Sequence, residues 1–431
     1  MALAVQPYKG TRDFYPPDER IQKWMFNKWR EIVEKYGYEE YNAPILELME
    51  LYRAKSGEEI AEQQTYNFTD RGGREVAIRP EMTPTVSRMV AGQRQELAYP
   101  LRWYSIPNLW RYERPQRGRS REHWQLNVDI FGVDKIDAEL ELIMIAADIM
   151  RSFGASDDMY QIRINSRKLM DLIFTDYLEL DVVQANLMAK LFDRQDKMPE
   201  DAFYREAAGI FDNEQSNQKL RKLIEAKSLA DLPESVVQSK AMRQVQLLFT
   251  LLKESNIKNA RFDVSLMRGF DYYTDIVFEI YDSDETNNRS IFGGGRYDGM
   301  VGLFGVENLP TAGFGLGDVT LHDFLETHRL LPELNSETDV YLVVIGDVLR
   351  QANGVAGLLR NEGVNVAVDV TGRDVDKQIK AAVKKQIHFA LFVGEQELAA
   401  EQFTLKDLES GTEDKHSIER IVSILKDERE K

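Results

Sequence analysis

The chain has 431 residues, enough for two or three domains of about 150 residues each. Hydrophobic residues at 43% and charged residues at 29%, with 27 glycines and 13 prolines, give a globular composition and exclude collagen-like or wholly disordered chains. The absence of cysteine excludes disulfides, thiolate metal sites and a cysteine nucleophile, while 55 basic against 72 acidic residues give a net charge of −17 that repels polyanions at long range.

In chain order, residues 18 to 36 place Ile21, Trp24, Met25, Trp29, Ile32, Val33 and Tyr36 on one helical stripe, ended by Gly37. YNAPILE (41 to 47) reads as a strand whose Pro44 belongs at an edge. Short strand-like runs follow from 65 to 131, turning at Asp70 to Gly73 and at Gly118, and then a helix from about 137 to 153. Residues 168 to 256 are helical throughout and read as an inserted helical module. Strand character returns from Ile257 to Tyr281, followed by the glycine-rich FGGGRYDGMVGLFG (292 to 305) and by AGFGLGDVTLHDFL (312 to 325), which turns helical. A charged linker (331 to 338) leads to alternating strands and helices from Asp339, the pattern of a small doubly wound α/β domain.

Four segments can carry chemistry. Between 111 and 121 stand Arg111, Arg114, Arg117, Arg119 and Arg121 with Glu113 as the sole acid, centred on a loop. Guanidinium groups keep their charge and bind phosphate oxygens bidentately, so this run suits a phosphoryl centre; the plain alternative is a solvated, salt-bridged hairpin. RGFDYYTDIVFEIY (268 to 281) sets Arg268 and Asp271 before Tyr272 and Tyr273, or else forms an aromatic strand patch. FGGGRYDG (292 to 299) either admits a ligand close to the backbone or forms a turn or bulge, and it has neither dinucleotide-binding nor P-loop spacing. Glu81 and Thr83 precede an apolar helical stretch, where an acid also stabilises a helix start. The five histidines lack metal-ligand spacing, so no protein-only metal site is expected. No apolar run reaches a membrane span and MALAVQPYKG is no signal peptide, so a cytoplasmic protein without membrane contact is expected.

Taken in order, these segments resemble the histidyl-tRNA synthetases of the class II aminoacyl-tRNA synthetases. The resemblance starts at KGTRDFYP (9 to 16) and spans nearly the whole chain. YNAPILE is similar to the dimer-forming first class signature, LRWYSIPNLWRYERPQRGRSREHWQLNVDIFG (101 to 132) to the second, and RGFDYYTDIVFE and GGGRYDGMVGLFG to two segments peculiar to the histidine enzymes. It implies an α+β catalytic core (1–167 and 257–330) with an antiparallel sheet flanked by helices, a helical insertion (168–256) clasping the tRNA acceptor arm, and an α/β anticodon-binding domain (339–431). The implied reaction activates L-histidine with ATP, assisted by Mg²⁺, and transfers it to tRNA(His), in a homodimer.

The resemblance also implies roles. Arg111 and Arg268 would carry the charge at the α-phosphate, with Glu113, Arg119, Gly315 and Gly317 also holding ATP. Glu81, Thr83 and Gln125 would meet the α-ammonium of histidine. Asp129 and Tyr273 would read the imidazole, with Tyr272 and Tyr297 as pocket walls. Arg114, Gln116, Arg117, Arg373 and Lys377 would contact tRNA. Two departures stand out: some relatives have Glu where Asp129 stands, and GFGLGDVTL (313 to 321) lacks the arginine that many class II enzymes carry near Thr320. Two other readings are a synthetase-like regulatory subunit that senses histidine and a synthetase for another amino acid.

Overall fold

The computed structural model describes residues 3–54, 63–195, 198–211, 214–226, 229–267, 273–287 and 289–429. They divide into two compact units. One runs to Leu331 apart from Pro16–Arg20, and the other comprises Pro16–Arg20 with the chain from Pro332 onward.

The first helix of the chain is α1 (Pro16–Lys35), whose Pro16 sits in the first turn, where its missing N–H costs nothing, and from Ile21 it belongs to the first unit. β1 (Glu39–Glu40), β2 (Leu46–Leu48), α2 (Met49–Arg53), β3 (Tyr66–Thr69), β4 (Glu75–Ile78) and α3 (Thr83–Gln93) follow. Then come β5 (Leu101–Ser105), β6 (Asn108–Trp110), β7 (Glu122–Phe131), α4 (Asp137–Ser152) and β8 (Tyr160–Ser166). The helical stretch holds α5 (Arg167–Leu172), α6 (Val182–Asp193), α7 (Glu200–Ile210), α8 (Glu214–Glu225), α9 (Glu234–Val237) and α10 (Lys240–Glu254). β9 (Ala260–Phe262), β10 (Ile276–Asp282), β11 (Ser290–Arg296), β12 (Thr311–Gly317) and α11 (Asp318–Thr327) complete the unit.

Nine strands form the central sheet in the order β1-β5-β7-β12-β11-β10-β8-β9, with β6 beside β7. It is antiparallel except at its two ends, where β1 pairs with β5 and β8 with β9 in parallel. Successive strand residues face opposite ways, so Leu126, Val128 and Ile130 of β7 enter the core while Gln125, Asn127 and Asp129 line the other face. Each large apolar side chain buried there contributes roughly 1.5 to 3 kcal/mol. α4 lies against this core through Leu142, Ile145, Ala146 and Ile149, one stripe at helical spacing. Leu191, Phe192, Val245 and Leu248 of the helical stretch belong to the same continuous core.

A separate three-stranded sheet, β2-β4-β3, corrects the reading of YNAPILE. Residues 41 to 44 are not a strand; β2 begins at Leu46, beyond the proline, and is an edge strand paired with β4 alone. FGGG also proves to be neither turn nor bulge, because Gly293, Gly294 and Gly295 lie inside β11.

The second unit contains β13 (Val340–Val344), α12 (Leu349–Asn361), β14 (Val366–Val368), α13 (Val375–Lys384), β15 (Phe389–Val393), α14 (Glu395–Ala400), β16 (Phe403–Asp407), β17 (Glu413–His416) and α15 (Ile418–Arg429). β14, β13 and β15 are parallel, as in a doubly wound fold, and β16 and β17 add an antiparallel hairpin at one edge. Among the described residues no helix is long and apolar enough to cross a membrane.

Candidate active site

Glycines open a trough on one face of the central sheet. Gly313 and Gly315 of β12 stand opposite Asp129 and Asn127 of β7, and opposite Gly295 and Gly293 of β11. A Cβ on Gly313 would lie 2.2 Å from Asp129 Oδ1, and one on Gly315 2.9 Å from the Gln125 side chain. A Cβ on Gly295 would reach within 2.9 Å of the Tyr273 ring. Missing side chains on β11 and β12 thus let Asp129, Gln125 and Tyr273 lie over the strands, a close approach that only glycine permits.

At the floor of this trough Asp129 is buried, and the Tyr297 hydroxyl donates a hydrogen bond to its Oδ1. Burial pushes the Asp129 carboxyl up to about 7, although the Tyr297 bond favours the charged form. Tyr273 has its phenol raised, mainly by burial and secondarily by Glu279, Glu81 and Asp129. It therefore remains a neutral donor near pH 7 and stands in electrostatic reach of Glu81. Glu81 lies two residues before α3, and no side chain caps that helix.

The trough continues into a cavity of about 200 Å³ lined by Arg111, Glu113, Arg119, His123, Gln125 and Gly315, with Gly317 and Thr320 beyond. Arg111 Nε donates to the Pro80 carbonyl at 2.8 Å, which fixes the guanidinium at the cavity wall. Arg119 lies 3.5 Å from Glu113. His123 was given no role in the sequence reading. It shares this cavity, and burial, with help from the charges of Arg111 and Arg12, pushes its imidazole down to about 3, so it is neutral near pH 7. Arg12 anchors KGTRD through a 2.7 Å pair with Asp318, which also accepts the Trp124 N–H at 3.0 Å.

The five-arginine run separates into different tasks. Arg121 is structural: it is buried, donates to the Tyr8 hydroxyl at 2.8 Å and to the Glu113 carbonyl, and lies over the Tyr112 ring. Gly10, at φ 87°, makes room for it, since a Cβ there would strike Arg121 and Pro115 within 2.9 Å. Arg111 and Arg119 face the cavity, whereas Arg114, Gln116 and Arg117 are exposed on the loop.

Residues 10–319 match the family model for histidyl-tRNA synthetase, and residues 339–428 match the model for an anticodon binding domain. The chain belongs to the histidyl-tRNA synthetase family. A histidine–tRNA ligase of Leptospira biflexa is 43% identical across all of this chain and 99% of its own, and one of Thermoplasma volcanium is 36% identical across 98% and 99%. The fold is similar to a crystal structure of histidyl-tRNA synthetase from Nostoc sp. PCC 7120, with TM-score 0.85 at 22% identity, over 99% of this chain and 100% of that one.

Within this family frame, Glu81, Gln125, Asp129, Tyr273 and Tyr297 gather about one trough, and Arg111, Glu113, Arg119, Gly315 and Gly317 about the adjoining cavity. Thr83 opens α3 two residues beyond Glu81. Arg268 and Tyr272 lie outside the described residues. Among the described residues one cluster could offer three ligand atoms to a metal, His322, Asp323 and Glu326, but its imidazole does not suit Mg²⁺, which prefers oxygen. These residues therefore do not fit a protein-only Mg²⁺ site.

In the second unit, Arg373 is already matched. It lies 2.6 Å from Asp369 and donates to the Tyr341 hydroxyl at 3.1 Å. Against the opposing effect of burial, hydrogen bonds from Thr371, Tyr341 and Arg373 hold Asp369 down at about 2. Lys377, Lys380 and Lys384 lie exposed on one face of α13, and Lys377 pairs with Asp374 at 2.8 Å.

Proposed function

We propose that the protein is a histidine–tRNA ligase that activates L-histidine with ATP as histidyl-adenylate and passes the histidine to tRNA(His). The observation that carries this reading is the trough that places Asp129 and Tyr273 beside the Arg111 cavity. A neutral imidazole has one N–H and one acceptor nitrogen. Asp129 takes the N–H, Tyr273 donates to the other nitrogen, and Tyr297 holds the Asp129 carboxylate in place. Glu81, Thr83 and Gln125 receive the α-ammonium, with Tyr272 as a further pocket wall.

Bound this way, a carboxylate oxygen of histidine attacks the α-phosphorus of ATP. A new P–O bond forms, the bond to the β-bridging oxygen breaks, and pyrophosphate leaves histidyl-adenylate behind. Arg111 and Arg268 balance the charge that grows at the α-phosphate, while Glu113, Arg119 and the bare backbone at Gly315 and Gly317 position the nucleotide. Mg²⁺ would come as part of the ATP substrate, where it would screen the triphosphate charge. The terminal ribose hydroxyl of tRNA then attacks the adenylate carbonyl, releasing AMP and a proton. Histidine alone among the standard amino acids should support exchange of labelled pyrophosphate into ATP. Exchange with proline or threonine would favour a synthetase for another amino acid, and histidine binding without exchange would favour the regulatory subunit.

The quaternary reading is a homodimer. Leu46, Leu48 and Phe68 share one face of the three-stranded sheet with Val76 and Ile78, while Ala77 on the other face packs against Met49 and Tyr52. Leu48 is 50% exposed and Phe68 47%, an apolar patch beside an unpaired edge that a second copy would cover. Sedimentation at micromolar concentration should give twice 49.8 kDa, and Phe68→Asp should shift it toward monomer. A parent protein that sediments as a monomer refutes this assignment.

Recognition of tRNA is divided along the chain. The insertion 168–256 and the loop residues Arg114, Gln116 and Arg117 meet the acceptor arm, and the domain 339–431 reads the anticodon with Lys377 and its neighbours, Arg373 bracing the helix start. Because phosphate contacts release counterions, tRNA binding should weaken steeply with salt while histidine activation does not. Replacing Lys377, Lys380 and Lys384 together by Ala should flatten that salt dependence, by about 0.7 to 0.9 in log–log slope per lost contact, and leave pyrophosphate exchange intact. An unchanged slope would remove α13 from the tRNA surface.

A further inference from the structure

We propose that Arg289 and Arg117 hold the triphosphate end of ATP, a task for which α11 supplies no cation, and this assignment moves Arg117 from the tRNA surface to the nucleotide. The inference rests on the reading of the Arg111 cavity as the site of the α-phosphate. That cavity shares Gly118, Ile291 and Thr320 with a second one of about 330 Å³, lined among others by Arg117, Asp282, Arg289 and Asp323. A nucleotide with its α-phosphate at Arg111 has two further phosphates to place, and this neighbouring space is where the chain presents two more guanidinium groups.

The first turn of α11, by contrast, offers no positive charge. No arginine or lysine lies between 297 and 328, and Thr320 is both short and occupied, its hydroxyl donating to the Ile291 carbonyl at 2.6 Å. The two arginines come from elsewhere: Arg289 immediately precedes β11, and Arg117 lies on the loop before β7. Neutral oxygens orient them. Gln116 Oε1 accepts from Arg289 Nη2 at 3.0 Å, and Thr327 Oγ1 accepts from Arg117 Nη2 at 3.3 Å. Of the two acids lining this cavity, one is engaged elsewhere. Asp282 is engaged by His328 Nε2 at 2.7 Å and by the Asn287 amide, which leaves Asp323 as the carboxylate lining the cavity that opposes Arg117. Fixed guanidinium groups suit phosphate oxygens, which accept their N–H groups bidentately.

Arg289 is exposed, so Arg289→Ala should leave the fold and its thermal midpoint unchanged. The test is equilibrium binding of ATP and of AMP to the parent and to Arg289→Ala, together with the ATP and histidine dependence of pyrophosphate exchange. ATP should bind about tenfold more weakly to the variant, as expected for one lost charge-assisted contact, with AMP binding and the KM for histidine unchanged. Arg289→Lys should recover part of the loss. Unchanged ATP binding would overturn the proposal. So would an equal loss for AMP, which would place Arg289 at the base or α-phosphate instead. A parent that binds ATP but shows no histidine-dependent exchange would refute the synthetase reading and leave the ATP and AMP comparison to decide Arg289 by itself.

Discussion

Arg111→Ala should slow single-turnover formation of histidyl-adenylate by on the order of 10² to 10³, the largest effect expected of any single change among the described residues. The guanidinium is held from the Pro80 carbonyl at the wall of the cavity that Gln125 and Gly315 join to the glycine trough. It is therefore placed before the reaction and does not have to reorganise as charge grows on the α-phosphate. Because the interaction strengthens in the transition state, kcat should fall more than the KM for either substrate rises. The stability cost should be small, since the side-chain bond lost is one to a backbone carbonyl. A variant that forms adenylate as fast as the parent would remove Arg111 from the reaction.

Asp129→Asn should lower kcat/KM for histidine by on the order of 10², because an amide offers no charge to an imidazole N–H. Asn is nearly isosteric, and its carbonyl can still accept the Tyr297 hydroxyl, so the trough should keep its shape. The pH dependence separates charge from shape. The folded carboxyl is raised to about 7, whereas an unfolded Asp titrates near ~3.9. Its contribution to stability is therefore fully present below pH ~4 and is lost as pH rises through about 7. The parent should thus lose stability relative to Asp129→Asn across that window. Histidine use should behave oppositely. The ratio of parent to variant kcat/KM should climb as pH rises through about 7 and the carboxylate ionises, and taking the ratio cancels the titration of the substrate imidazole. A pH-independent ratio would mean that Asp129 acts through packing alone.

Asp129 and Tyr297 were reached from the sequence only through the family resemblance that several motifs carry together, whereas Arg111 also stood out in a run of five arginines. FGGG was left open between close ligand approach and a turn or bulge, since glycine usually marks such places. Here it serves instead to clear space for side chains from β7 and from the segment before β10, a relation between strands far apart in the chain. YNAPILE was placed at an edge correctly but started too early, because Pro44 keeps the backbone out of the ladder until Leu46. β16 and β17 were missed altogether: FTLKD alternates apolar and polar residues only over Phe403 to Leu405, too short a run to signal a strand, and EDKH is an edge strand with no apolar residue. His123 and Arg289 escaped for another reason. An isolated histidine or arginine says nothing until the fold brings it to a cavity, and His123 becomes informative only beside Arg111 and Arg12.

Aminoacylation itself tests the account most directly. Purified protein, ATP with Mg²⁺, tRNA and each standard amino acid in turn would be assayed for ester formation at the tRNA 3′ end. The account predicts charging of tRNA(His) with histidine and with no other amino acid, and its loss in Arg111→Ala and Asp129→Asn. Stable attachment of a different amino acid, or tight histidine binding with neither adenylate nor charged tRNA formed, would contradict it.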